Sequence, residues 1–98
     1  MNKTEKKEQV QKLVDEFLST TDIDTLVELH SKIITEIALC GYDDNLNLVY
    51  AGIQEWSKDL LNYILAVKVH ELNPDLIDFT RLSLVGLINF VDMSLLPD

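Results

Sequence analysis

Cysteine, proline, glycine and arginine are all scarce in this chain of 98 residues. The single cysteine, Cys40, excludes an internal disulfide, so we expect a reducing compartment. Two prolines and three glycines leave few breaks in the chain, which favours a few long elements over many short strands.

Basic residues are also few, since eight lysines and arginines stand against seventeen acidic residues, for a net charge of -9. Contacts to phosphates need Lys and Arg, so direct binding of nucleic acid is not expected. Residues 1–20 are balanced, whereas residues 21–42, 43–73 and 74–98 each carry a charge of -3. Two interpretations stay open: a solvated acidic surface, or an acidic face that meets a basic partner.

Long apolar runs are missing as well. Residues 1–16 are charged and lack the apolar centre of a secretory signal. The most apolar run, residues 82–96, is interrupted by Asn89 and Asp92 and is shorter than a bilayer span requires. The sequence therefore predicts a cytoplasmic protein without a membrane helix.

The apolar residues, 47% of the chain, recur at spacings of three and four, which is the helical period and not the strand period of two. This pattern predicts an all-α fold with helices over roughly 4–19, 23–40, 45–72 and 74–96. Short connections favour antiparallel neighbours. We therefore expect residues 1–98 to form one compact, four-helix bundle-like domain.

Local signals mark the helix ends. Asn73 is expected to cap the fourth helix, with Pro74 at its first position, where a missing N–H costs nothing. Because a residue before proline resists the helical conformation, the third helix is expected to run to about Leu72. Gly41 is a predicted left-handed stop after the second helix.

The fourth helix is apolar around most of its circumference. At 100° per residue, four of its polar side chains fall in one sector roughly 80° wide, and these are Asp78, Arg81, Asn89 and Asp92. An ordinary surface helix has an apolar stripe much narrower than this one. Three helices of the same chain, a second copy, or another protein must cover the remainder.

Residues able to support catalysis or metal binding are sparse. His30 and His70 belong to no zinc or di-iron motif, and the three glycines are too isolated to form a phosphate-binding loop. Cys40 closes a helix, where a reactive thiolate is disfavoured. We expect no enzyme activity, no cofactor and no metal. A small-ligand or enzyme site around His30 is the least favoured hypothesis.

Protein binding is the leading hypothesis: a small acidic module that occupies a partner's surface, as inhibitors, immunity proteins and antitoxins do. The partner would carry a basic surface. Aromatic and acidic residues cluster before and within the third helix, and the fourth helix adds the only arginine. The candidate partner-binding residues are Tyr42, Asp43, Asp44, Tyr50, Asp78, Arg81 and Asp92.

The alternative hypothesis is a structural or regulatory homodimer that pairs through residues 74–96. Under this hypothesis Ile88 and Val91 lie at the contact between the two copies. A charged residue at either position would then yield a folded monomer.

Overall fold

The computed structural model describes residues 2–40, 46–94, 96 and 97, without the side chains of residues 46–50. These described residues form four α-helices: α1 (Lys3–Ser19), α2 (Ile23–Ala38), α3 (Leu46–Lys68) and α4 (Pro74–Asp92). The predicted all-α, four-helix bundle-like fold is confirmed. The predicted stop at Gly41 lies outside the described residues.

The helices pack in a ring in which each one contacts its neighbours in sequence and α4 closes against α1. Side-chain contacts give the directions. Lys6 near the start of α1 pairs with Glu36 near the end of α2, and Lys7 pairs with Asp92 at the end of α4. These contacts make α1 antiparallel to both of its neighbours, as expected from short connections.

One apolar core fills the centre of the ring. Phe17 of α1 and Tyr63 of α3 meet there with ring centroids 5.1 Å apart. The Tyr63 hydroxyl donates to the Leu18 carbonyl at 3.4 Å, which gives this buried polar group a partner. The side chains that are almost completely buried are Val10, Phe17, Leu26, Ile33, Ile37, Cys40, Leu60, Tyr63, Thr80, Leu84, Leu87 and Val91.

Side-chain caps start three of the helices. The side chain of Asn2 accepts from the Glu5 amide, and that of Asp22 accepts from both the amide and the hydroxyl of Thr25. The hydrogen bonds from Thr25 lower the pKa of Asp22. The predicted cap of α4 is present, because the Asn73 side chain accepts a hydrogen bond from the backbone amide three residues later, at 2.9 Å.

The end of α3 differs from the prediction, since the helix stops at Lys68 rather than near Leu72. His70 adopts a left-handed conformation with φ 59°. Its N–H donates to the Val67 carbonyl, and the Glu71 N–H donates to the Ala66 carbonyl at 2.8 Å. This is a Schellman stop. It has no glycine, so the usual sequence signal is missing.

The polar first turns of α1 are anchored at the end of the bundle. Lys6 is only 7% exposed and forms its ion pair with Glu36 there. The Lys3 N–H donates to the Pro97 carbonyl at 2.7 Å. These contacts join both ends of the described chain to the same end of the bundle.

The length and apolarity required for a bilayer span are found in none of the helices among the described residues.

The predicted dimer contacts on α4 belong to the core. Ile88 is 9% exposed and Val91 is fully buried. A charge at either position would therefore disrupt the monomer itself, contrary to the expectation of a folded monomer. Other apolar residues of α4 lie on its exposed side.

We expect Val91→Asp to remove most of the free energy of unfolding, because it places an unpaired carboxylate in the core. Leu82→Asp, on the exposed side of the same helix, is expected to change that free energy by no more than about 0.5 kcal/mol. Urea denaturation followed by circular dichroism measures both. Equal losses in the two variants would contradict this assignment of the faces.

We expect His70→Gly to raise the free energy of unfolding by about 0.5–1 kcal/mol. Glycine adopts the left-handed conformation without the steric cost of a β-carbon, although its unfolded chain is more flexible. His70→Ala is the control and should give no gain, since alanine retains the β-carbon. A gain in both variants would mean that the imidazole, and not the backbone conformation, limits stability.

Candidate interaction surface

The residues selected from sequence fall into two groups. Tyr42, Asp43 and Asp44 lie outside the described residues, and so does the side chain of Tyr50 in α3. The other three, Asp78, Arg81 and Asp92, are all exposed on α4. The structure therefore locates only the α4 half of the candidate site.

The three α4 residues share one exposed side of the helix but have different surroundings. Asp92 pairs with Lys7 of α1 at 2.9 Å. Arg81 borders a cleft of about 240 Å³ between α1 and α4, with Asp15 also at its lining. In the described part of the chain, no carboxylate lies within ion-pairing distance of Arg81. Asp78 is left on the outer side of the helix.

Large apolar side chains occupy that outer side of α4. Phe79 is 60% exposed, Leu82 is 72% exposed and Met93 is 77% exposed. The same helix buries Thr80, Leu84, Leu87, Ile88 and Val91 on its other side. Packing within the chain therefore covers only one face of this largely apolar helix.

Exposed Gly86 and half-buried Phe90 lie on the same line along α4 as these exposed residues. At 100° per residue, Phe79, Leu82, Gly86, Phe90 and Met93 fall within a sector about 80° wide, and we call these five residues the α4 stripe. Gly86 is exposed, while Phe90 is half-buried against Trp56 of α3, with ring centroids 5.6 Å apart. The stripe therefore runs along the outer surface of α4 and reaches α3.

Acidic side chains accompany the stripe. Asp75 and Asp78 are exposed on the first turns of α4, beside Phe79. On α3, Asp59 accepts a hydrogen bond from the Ser83 hydroxyl of α4, and exposed Glu55 lies one turn away from it. The surface combines an apolar row with carboxylates on both helices.

A second row of half-exposed apolar side chains runs along α3 and just past its end, formed by Leu61, Leu65 and Val69. We call it the α3 row. Exposed Lys58 and Lys68 stand near the two ends of this row. Exposed Glu71 lines a shallow pocket with Leu65 and Val69, so the row carries both signs of charge. It provides a control surface of similar apolar exposure.

Sequence reasoning assigned Phe79, Leu82 and Met93 to the apolar majority of the helix, and their exposure was not predicted. Their positions on the helical wheel could have indicated this exposure, because they lie on the side of the helix away from Leu84 and Val91, which are buried. Selecting the buried face, however, requires knowing where α1 and α3 pack.

His30 forms a polar contact between α2 and α3. Its Nε2 lies 3.0 Å from the Ser57 hydroxyl oxygen, and the residue is half-buried. Burial lowers the pKa of His30 from its ordinary value, and hydrogen bonding with Ser57 offsets part of that effect. Within the described residues, no other side chain hydrogen-bonds this imidazole, so the pair has the geometry of an interhelical bridge.

Cys40 is fully buried, and its thiol donates to the Glu36 carbonyl at 3.2 Å. Burial raises the pKa of this thiol, which disfavours the reactive thiolate. Over the described ranges, no three His, Cys, Asp or Glu side chains are grouped so that they could hold a metal ion.

Comparison with known proteins gave no match for this chain among family models, curated proteins or solved structures.

We expect the stability of the protein to fall as the pH drops below about 6.5, the ordinary pKa of histidine. Because the pKa of His30 is lower in the folded state, the unfolded chain binds this proton first and is favoured until the folded pKa is passed. Urea denaturation at pH 5.5 and 7.5 measures the change. His30→Gln should reduce the difference between the two values; an unaltered difference would assign it to other groups.

Proposed function

We propose that this chain is a small acidic protein-binding module that acts by occupying the surface of a partner protein, as an inhibitor, immunity protein or antitoxin does. The observation that carries the proposal is the α4 stripe. Three large apolar side chains in it are 60–77% exposed on a chain that has an otherwise well-buried core. Several large apolar side chains exposed on one side of a helix are typical of a binding site.

The exposed side chains provide a source of binding energy. Full burial of a side chain such as Phe, Leu or Met contributes about 1.5–3 kcal/mol relative to full exposure. Phe79, Leu82 and Met93 retain more than half of that exposure. Their burial against a partner would therefore outweigh a substantial part of the entropy lost on association.

The acidic residues indicate the chemistry of the partner. Asp75, Asp78 and Glu55 are exposed around the stripe, and the only basic residue of α4, Arg81, faces the cleft with α1. A complementary surface has an apolar centre with lysines or arginines at its rim. Rim charges of this kind accelerate association and select the partner more than they strengthen binding.

A cytoplasmic location fits this proposal. The single cysteine is buried and unpaired, so the fold requires no oxidising compartment.

We expect the immobilised protein to retain a specific partner from a lysate of its source cells, and Leu82→Asp to lose it. Leu65→Asp is the matched control, because Leu65 is also more than half exposed on a helix but lies in the α3 row. Circular dichroism checks that both variants remain folded. Mass spectrometry of the retained proteins measures the loss.

Salt provides the second measurement on the same column. The amount of partner retained should fall as salt rises from 0.1 to about 1 M, because the Debye length shortens from about 10 to 3 Å and the rim charges are screened. Retention that does not depend on salt would exclude a role for the acidic rim. Loss with Leu65→Asp but not with Leu82→Asp would assign binding to α3 and overturn the proposed surface.

A further inference from the structure

We propose that the cleft between α1 and α4 binds a free α-amino acid with an apolar side chain, such as leucine. In this complex Arg81 of α4 binds the α-carboxylate, Asp15 of α1 binds the α-ammonium group, and the ligand side chain lies on the apolar floor. The inference goes beyond the proposed function, because the cleft lies on the α1 side of α4 and not along the α4 stripe.

The cleft has an apolar floor. Val14, Leu84 and Ile88 are buried there, and Leu18 is half-buried beside them. The volume of the cleft, about 240 Å³, lies below the range of about 300–1,000 Å³ that is usual for drug-sized ligands. Because this floor is aliphatic and the volume is small, the cleft suits a small ligand with one aliphatic group.

Two opposite charges stand at the rim of the cleft on facing helices. Exposed Asp15 belongs to α1 and exposed Arg81 belongs to α4, and both line the cleft. Within the ranges that the structure describes, these two side chains are not within ion-pairing distance of each other, and Arg81 has no other carboxylate at that distance. A zwitterion placed between them would give each charge an opposite charge.

Neighbouring contacts place both charged groups at the mouth of the cleft. Asp15 accepts a hydrogen bond from the side-chain amide of Gln11 at 2.9 Å, and Gln11 also lines the cleft. Burial raises the pKa of Tyr63, and the positive charge of Arg81 offsets part of that rise. Since the Tyr63 hydroxyl donates to the Leu18 carbonyl of α1, the guanidinium lies on the α1 side of α4.

The charge of the chain favours a neutral zwitterion over a simple ion. The net charge of -9 repels an anion, and Asp15 repels a carboxylate bound at Arg81. A cation is drawn to the acidic chain, but Arg81 repels it at this cleft. An α-amino acid has no net charge, and it carries its carboxylate and its ammonium group on the same carbon atom.

Two amide side chains complete the polar rim, Gln11 on α1 and Asn89 on α4. An amide both donates and accepts hydrogen bonds, so it can contact either charged group of the ligand. A few polar groups around an apolar floor are the usual composition of a small-molecule site.

The first test is a titration with L-leucine, followed by two-dimensional NMR of the isotope-labelled protein at pH 7. Because the ligand has few atoms and the cleft is open to solvent, we expect a dissociation constant in the millimolar range. The amide signals of Val14, Leu18, Leu84 and Ile88 should shift, and those of the α3 row should not. No shifts at millimolar leucine, or shifts spread evenly over the protein, would overturn the proposal.

Leucine analogues separate the three contacts. N-acetyl-L-leucine lacks the ammonium group, L-leucinamide lacks the carboxylate, and glycine lacks the apolar side chain. Each should bind at least about fivefold more weakly than leucine. Equal binding of N-acetyl-L-leucine would mean that the cleft recognises only a carboxylate, and equal binding of L-leucinamide would mean that the acidic chain attracts any cation. Either result, or equal binding of glycine, would overturn the proposal.

Charge-matched variants test the two rim residues. Arg81→Gln and Asp15→Asn should each weaken leucine binding at least about fivefold, and asparagine keeps the oxygen that accepts from Gln11. The controls Lys12→Gln and Glu16→Gln remove the same charges from exposed α1 positions that do not line the cleft, and they should leave binding unchanged. Circular dichroism checks that all four variants fold. Equal weakening by the variants and their controls would assign binding to net charge and refute the site.

Discussion

Burial of one apolar face from each of four helices in a common core is the constraint on which the rest of this structure depends. Apolar burial is the main favourable contribution to folding, and a ring of four helices satisfies it with short connections. Each helix then has an inner face and an outer face. On α4, whose apolar residues extend around most of its circumference, this arrangement leaves Phe79, Leu82 and Met93 outside.

Polar contacts determine how the helices meet at their ends. At one end of the bundle, Lys6 and Lys7 connect α1 to α2 and α4 through carboxylates. At mid-height, His30 and Ser57 bridge α2 and α3. These contacts give partly buried polar groups their partners. They also favour one alignment of the helices along their axes, because a polar pair forms only in that alignment, whereas apolar side chains can pack in several.

The outer face of α4 connects the fold to the proposed function. Its apolar residues contribute less to folding than the inner ones, so the chain retains apolar surface that association can bury. In that proposal, the exposed carboxylates beside the stripe select a partner with a basic rim.

The sequence by itself determined the features that depend on local interactions: the helical period, the four helices, and the cap Asn73. Only the tertiary structure decided the features that depend on distant residues. It selected the buried face of α4, placed Ile88 and Val91 in the core, and paired Asp92 with Lys7 rather than leaving it free. The end of α3 at His70 is a local backbone feature, yet the sequence does not reveal it. The left-handed position there is occupied by a histidine, and the usual signal for such a position is a glycine. For a helix that is apolar on most sides, the packing of the neighbouring helices decides which face is buried and which is exposed.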